Sequence, residues 1–283
     1  MASITMMGVK GGPAIRPGSN MPTSLLVQMG GQNIVVDAGL GVTRGVCDAG
    51  LALTEIDAIY ITHMHSDHYL ELGPLFHTAW TAGLNRPIPV IGPAGLADYW
   101  AHFYNSMRFD IELRLADEGR PNLKDLFAFT LMTEGALSAP SPVNVDAILN
   151  DHPPIKESYA LRFMADDKRF VFSGDTAPLP AMIPFAKDAD LLIHEAMMIS
   201  GVERLVAKLP NNGDLLRTHI LRSHTAADQV GRIAAEANVK HLAITHMVPD
   251  SDPEITEQDW ITEIRRHYQG NITIGTDGIT ITL

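Results

Sequence analysis

Short apolar runs separated by turn residues dominate the first third of the chain. The stretch SLLVQMGGQNIVVDAG (24–39) predicts two strands around a Gly30-Gly31 turn. DAIYIT (57–62) is a further short strand. The pattern then switches period. In LELGPLFHTAWTAGL, the residues Leu72, Leu75, Phe76, Ala79 and Trp80 recur at helical spacing. PIPVIGP (87–93) reads as a strand between prolines, and 99–118 as helical. The segment TEGALSAPSPVNVDA (133–147) reads only as loop or edge structure. SYALRFM and RFVFSGD form two strands around the turn ADDK. DLLIHE (190–195) and KHLAIT (240–245) are strands flanking a helix over 224–239. Thr225 with Asp228 gives that helix a capping pattern, and Ala226, Val230, Ile233, Ala234 and Ala237 line one face. NITIGTDGITITL predicts a closing hairpin around Asp277-Gly278. Strands followed by alternating strands and helices, given twice, predict an α/β (α+β) chain. Two sheets pack face to face with helices outside, and 1–283 form a single domain.

Composition narrows the function. At 283 residues the chain buries a substantial core. No apolar run approaches the roughly 20 residues of a membrane-spanning helix. The N-terminus MASITMMGVKGGP lacks the charged, apolar and small-residue sequence of a leader. That points to the cytoplasm, or to the periplasm were a leader already cleaved. The net charge of −12, with no run of Lys or Arg, repels polyphosphate and argues against a nucleic-acid partner. Cys47 is the single cysteine, read as a small buried hydrophobe, so any metal site is built from imidazole and carboxylate.

Such groups are concentrated at strand ends. THMHSDH places His63, His65, Asp67 and His68 directly after one strand. His152 precedes another, Asp175 ends RFVFSGD, and His246 follows KHLAIT. Strand ends along one edge of a sandwich can converge on a single cleft. His63 and His65, two apart, point the same way from extended chain and suit one ion. Asp67 and His68, past the turn, suit a second. His152 and His246 are the natural extra imidazoles and Asp175 the natural bridging carboxylate. The donor set suits zinc, with manganese or iron(II) as alternatives. His77, His102, His219, His241 and His267 read as surface or core histidines.

THMHSDH, VVDAGLG, FSGDT and AITHMVP together resemble the motifs of metallo-β-lactamase-fold hydrolases. The resemblance covers nearly the whole chain and is weakest over 96–150. It implies a four-layer αββα sandwich of two mixed sheets with a two-metal site at their edge. LLIHEAM and SHTAADQVGRIAAEANVKHLAITH are similar to the branch holding ribonuclease Z and arylsulfatase-like hydrolases. That branch implies a homodimer, and gives His224 contact with the scissile oxyanion or leaving group. It also implies that two zinc ions share a hydroxide nucleophile, with Asp67 as ligand and orienting base. Asp37 orients a ligand histidine. His194 and Glu195 either support the site or line it, and Met197 and Tyr69 are candidate pocket walls. Only 22 residues separate His152 from Asp175, where ribonuclease Z carries a long Gly/Pro-rich arm. With the acidic charge, this departure favours a small-molecule substrate: an aryl sulfate, phosphoester or carboxylic ester. Lactone or β-lactam hydrolysis is the alternative. Ribonuclease Z-type tRNA processing and a non-enzymatic metal scaffold rank lower.

Overall fold

A computed structural model of the chain describes residues 2–209, 211 and 213–283. In chain order its elements are β1 (Ser3–Gly8), β2 (Ser24–Met29), β3 (Gln32–Val36), α1 (Val42–Asp48), β4 (Ala58–Tyr60), α2 (Ser66–Tyr69), α3 (Leu72–Thr81), β5 (Ile88–Gly92), α4 (Gly95–Ser106), α5 (Arg108–Glu118) and β6 (Phe127–Leu131). The second half gives β7 (Gly135–Leu137), β8 (Asn144–Leu149), β9 (Tyr159–Ala165), β10 (Lys168–Phe172), α6 (Met182–Phe185), β11 (Leu191–Met197), α7 (Ile199–Ala207), α8 (Gly213–Ser223), α9 (Ala227–Glu236), β12 (His241–Val248), α10 (Glu257–Ile264), β13 (Asn271–Ile274) and β14 (Ile279–Thr282).

The strands form two sheets, ordered β14-β1-β2-β3-β4-β5-β6 and β13-β12-β11-β10-β9-β8-β7. Each mixes parallel and antiparallel pairs. Alternation along β2 explains the layering. Leu25 and Val27 join the core between the sheets, with Phe163 and Phe170 from the facing strands. Leu26 points the other way and packs with Phe76 and Trp80 of α3. Both faces are therefore buried, as the near-continuous apolar runs require. Helices α9 and α10 cover the outer face of the second sheet through Val230, Ala234, Trp260 and Ile264. This is the four-layer αββα sandwich of the metallo-β-lactamase fold.

Several local expectations change. The segment 133–147 forms β7 and the start of β8, the free edge of the second sheet. The tail is not a hairpin: β13 pairs parallel with β12, while β14 crosses to pair antiparallel with β1. Its alternating isoleucines suit either arrangement, and the open edges of the two sheets decide. Helix α9 starts at Ala227, and its N-cap Ala226 makes no side-chain cap. The Thr225 hydroxyl donates instead to the Thr176 carbonyl at 2.7 Å. Cys47 is exposed on α1 rather than buried.

The fold brings the loop after β3 against the loop after β4. Ala38 N–H donates to the His68 carbonyl at 2.6 Å, and Glu71 N–H to the Ala38 carbonyl at 3.0 Å. Gly39 sits in this seam. A Cβ there would lie 2.4 Å from the Asp67 carbonyl oxygen and 2.9 Å from that of Thr23. Both obstacles are backbone, so relaxation is costly. Gly39→Ala is expected to destabilise the metal-free protein by about 1–3 kcal/mol. The urea midpoint measures this; a midpoint equal to wild type would show that the seam yields freely.

Candidate metal centre and cleft

The predicted ligands meet at one end of the sandwich. Asp175 Oδ2 lies 3.7 Å from His63 Nε2, 3.3 Å from His68 Nε2, 3.8 Å from His152 Nε2 and 3.0 Å from His246 Nε2. Two donor groups stand out, and a third, Asp175 with His224 and His246, overlaps both. One holds His63, His65, His152 and Asp175, the other Asp67, His68 and His246. Asp175 lies between them.

Three of the imidazoles, His63, His68 and His152, are fixed from behind. His68 Nδ1–H donates to Asp37 Oδ2 at 2.7 Å. Asp37 also accepts the Thr62 N–H at 2.8 Å and its hydroxyl at 2.9 Å, and Thr62 Oγ1 stands 3.1 Å from His63 Nδ1. One buried carboxylate thus sets two rings. His152 Nδ1–H donates to the Ser223 carbonyl at 2.9 Å, turning Nε2 inward. His246 is aimed differently. The pairing of β11 with β12 runs Glu195 to Thr245 and then Ala196 to Met247, so His246 is an extra, bulged residue. Its φ of 42° turns it out of the ladder toward Asp175.

The donor chemistry fits divalent metal. His65 Nδ1 faces His63 Nε2 at 3.1 Å and His152 Nε2 at 3.0 Å. Three ring nitrogens converging this closely cannot all be satisfied by each other's protons. His68 Nε2 and Asp175 Oδ1 are buried without hydrogen-bond partners among the described residues. Cations at these points would satisfy both of these atoms and the three crowded ring nitrogens.

The charge states are consistent with this. Burial first, then neighbouring imidazoles, holds His63 well below its ordinary value and takes His65 down to about 4. These rings keep their lone pairs at neutral pH. Burial also works against protonation of His68 and His246, but the Asp175 carboxylate outweighs it. His246 is pushed up to about 10 and His68 moves well above its usual range. Asp175 falls well below the carboxylate range, with burial overcome by His246 and His68.

The cleft beside this cluster has a volume of about 450 Å³. Lys10 and Arg16, on the loop after β1, form one wall. Leu205 of α7 with Leu216 and Ile220 of α8 form the other. His224 is buried in the loop between α8 and α9, rather than opening a helix, and stacks on His246 with ring centroids 5.3 Å apart. Its Nδ1 is 3.4 Å from Glu195 Oε1, which also accepts the Thr176 and Thr225 N–H groups at 3.2 and 3.0 Å. His194 alternates to the opposite side of β11, where its Nδ1–H donates to the Glu195 carbonyl, and does not reach the cleft. Tyr69 packs on Tyr99 in the outer core, and Met197 lines a separate small hollow with Ala226. Neither walls the cleft.

Two features escaped the sequence reading. His219, read as a surface or core histidine, faces the cleft with its ring 6.1 Å from His65. The loop VKGGPAIRPG forms a whole wall. Gly12 N–H donates to Asp67 Oδ2 at 2.8 Å, and a Cβ on Gly11 would come within 3.0 Å of the His246 ring. Five Gly and Pro residues within this loop after the first strand were the available signal.

Fold and site together define a metal-dependent hydrolase of the metallo-β-lactamase fold. The chain belongs to the family described as Anti-Pycsar protein Apyc1, whose model matches residues 2–246. That description names what the family counters, not a bond it cleaves. Among individual proteins, the chain is 28% identical over 280 residues to a ribonuclease Z of Mycolicibacterium gilvum, covering 98% of this chain and 94% of that one. In structure it is similar to the metallo-β-lactamase fold protein YhfI of Bacillus subtilis, with a TM-score of 0.72 at 22% identity over 99% and 98% of the chains. Human tRNase Z, short form, follows with a TM-score of 0.68 at 17% identity over 99% and 98%. These structural likenesses carry the fold.

The relatives overturn the expectation of a small-molecule ester hydrolase with no nucleic-acid partner. Relatives spanning nearly the full chain, among them those of Mycolicibacterium gilvum, Mycolicibacterium paratuberculosis and Mycobacterium avium, are named ribonuclease Z. The charge argument failed because net charge is a whole-molecule average, whereas Lys10 and Arg16 sit at the cleft. The arm argument failed too. The short β9–β10 hairpin does stand between His152 and Asp175, yet this chain covers 94% of the Mycolicibacterium gilvum enzyme. Among the described residues no helix is long and apolar enough to cross a membrane.

Protons and metal compete for His68 and His246. A histidine with a raised value holds its proton until the pH passes that value, so at pH 7 metal binding must expel it. Zinc binding to the metal-free protein is expected to release protons, with affinity falling as pH drops. Calorimetry in two buffers of different ionisation enthalpy measures this. Identical apparent enthalpies would show that the two rings are already neutral.

Proposed function

We propose that the chain is a two-metal ribonuclease of the ribonuclease Z kind, hydrolysing an RNA phosphodiester in tRNA processing. The observation that carries this is the Asp175 cluster: one carboxylate between two imidazole sets, opening on a cleft with a cationic wall. His63, His65, His152 and Asp175 would hold one ion, and Asp67, His68, His246 and Asp175 the other, with zinc as the metal. Bound there, the ions supply Lewis acidity and lower the pKa of water toward about 7.

The remaining chemistry belongs to the chain. Attack of a hydroxyl on phosphorus breaks a P–O bond, and the departing oxygen needs a proton. His224 supplies it from the ring stacked against His246. Glu195, held by two backbone N–H groups, sets its carboxylate 3.4 Å from His224 Nδ1, on the side that leaves Nε2 for the leaving oxygen. Asp67, held by Gly12 N–H, orients the attacking water as well as serving as a ligand. Full-length relatives named ribonuclease Z supply the substrate class.

Zinc-loaded protein is expected to cleave a precursor tRNA carrying a 3′ trailer at one position. His224→Ala should keep its zinc and lose about a hundredfold or more in kcat, as when an oxyanion donor is removed. Gel analysis of labelled RNA and elemental analysis test both parts. Hydrolysis of bis(p-nitrophenyl) phosphate with the RNA left intact would exclude the RNA reading. Normal turnover in His224→Ala would remove that residue from the reaction.

A further inference from the structure

Lys10 is a buried lysine, only 4% exposed, in the wall of the cleft. Its backbone is clamped where the two sheets meet. Lys10 N–H donates to the Met21 carbonyl at 2.9 Å, Gly11 N–H to the Met247 carbonyl at 3.2 Å, and the Lys10 carbonyl accepts the Thr23 hydroxyl at 3.3 Å. The side chain folds back on its own loop, where Nζ donates to the Gly11 and Gly12 carbonyls at 2.8 and 2.7 Å. An ammonium has three protons, so one remains. Among the described residues no carboxylate oxygen lies within 4.0 Å of Nζ. The nearby acids are engaged elsewhere. Asp250 accepts from Asn20 at 2.7 and 3.2 Å, and Asp67 accepts from Gly12 N–H beside His246.

Asp250 and Asp67 act on this ammonium only through space, and a buried cation with no anion in contact is costly, kept where something completes it. Here the loop spends no side chain on neutralising the lysine. Gly11 and Gly12 instead bring it as close to Asp67 and His246 as backbone packing allows. We infer that Lys10 is the phosphate-gripping residue of this cleft, its third proton taken by a non-bridging oxygen of the scissile phosphate. This rests on the phosphodiester reading of the site. A compact ammonium suits the task, because it delivers one point charge to one oxygen. In this desolvated position the charge acts more strongly on developing phosphoryl charge than an exposed lysine would.

Inorganic phosphate serves as the probe. It is titrated by calorimetry into zinc-loaded wild type, Lys10→Met and Lys10→Arg. Lys10→Met should retain its zinc and Tm while binding phosphate at least about tenfold more weakly, the size of one charge-assisted hydrogen bond. Lys10→Arg should recover part of that loss. Wild-type phosphate affinity in Lys10→Met would overturn the assignment and leave Lys10 a loop anchor. Should Lys10→Met lose zinc or unfold, a crystal structure of the zinc-loaded wild type with phosphate decides. An oxygen within hydrogen-bond reach of Nζ supports the role, and phosphate held away from it overturns it. Precursor-tRNA cleavage is scored separately. Weakened phosphate binding without RNA cleavage would sink the RNA substrate but leave Lys10 in place, and the reverse result would do the opposite.

Discussion

The buried carboxylate of Asp175 is the constraint on which the rest of the site depends. An ionised carboxylate out of water is costly unless it is paired and hydrogen-bonded. Here the compensation is a ring of imidazoles drawn from both sheets. His63 and His68 come from the loop after β4, His152 precedes β9, and His246 bulges from β12. The sheets must therefore present their ends side by side. The inter-sheet core that holds them there, with Phe163 packed edge-on to Tyr60, is what lets four distant segments share one charge.

Two residues adopt the left-handed backbone region to make that ring work. Asp37 has φ 60° and His246 φ 42°. Neither is glycine, and such conformations cost on the order of 1–3 kcal/mol each. They persist because the surroundings over-determine them. Asp37 is fully buried and accepts from His68 and from both donors of Thr62. His246 is caught between Asp67 and Asp175, under the ring of His224. Five other described non-glycine residues, Asp166, Asp167, Asp188, Asn238 and Ser251, also have positive φ, but Asp37 and His246 are the two within the imidazole cluster.

How much of this was legible follows the range of each interaction. THMHSDH could be read because its ligands lie within one turn, and the later ligands because each marks a strand end. The two strand periods and the α3 face were legible for the same local reason. What failed was decided at long range. β13 and β14 look like a hairpin, but each completes a different sheet. Tyr69 and Met197 adjoin site residues in sequence yet point into packing, because one step along a helix or strand changes the face. His219 has no motif around it and becomes a cleft residue only because α8 lies across the opening. Lys10 stood in a loop that looked like a connection, and its burial depends on contacts with Met21 and Met247.

The substrate error has the same physical origin and sharpens the view of the cleft. A net charge of −12 describes the field far from the molecule, and salt screens that field beyond about 8 Å at physiological ionic strength. At the cleft the local arrangement governs. Several of the nearby carboxylates are matched by imidazoles, and a bound divalent cation would add positive charge to the floor. Lys10 and Arg16 face the apolar residues Leu205, Leu216 and Ile220 across the opening. A charged wall opposite an apolar wall discriminates in a way that neither does alone. A group anionic on one side and flat or apolar on the other, as a nucleotide unit is, would meet a matching surface on each wall.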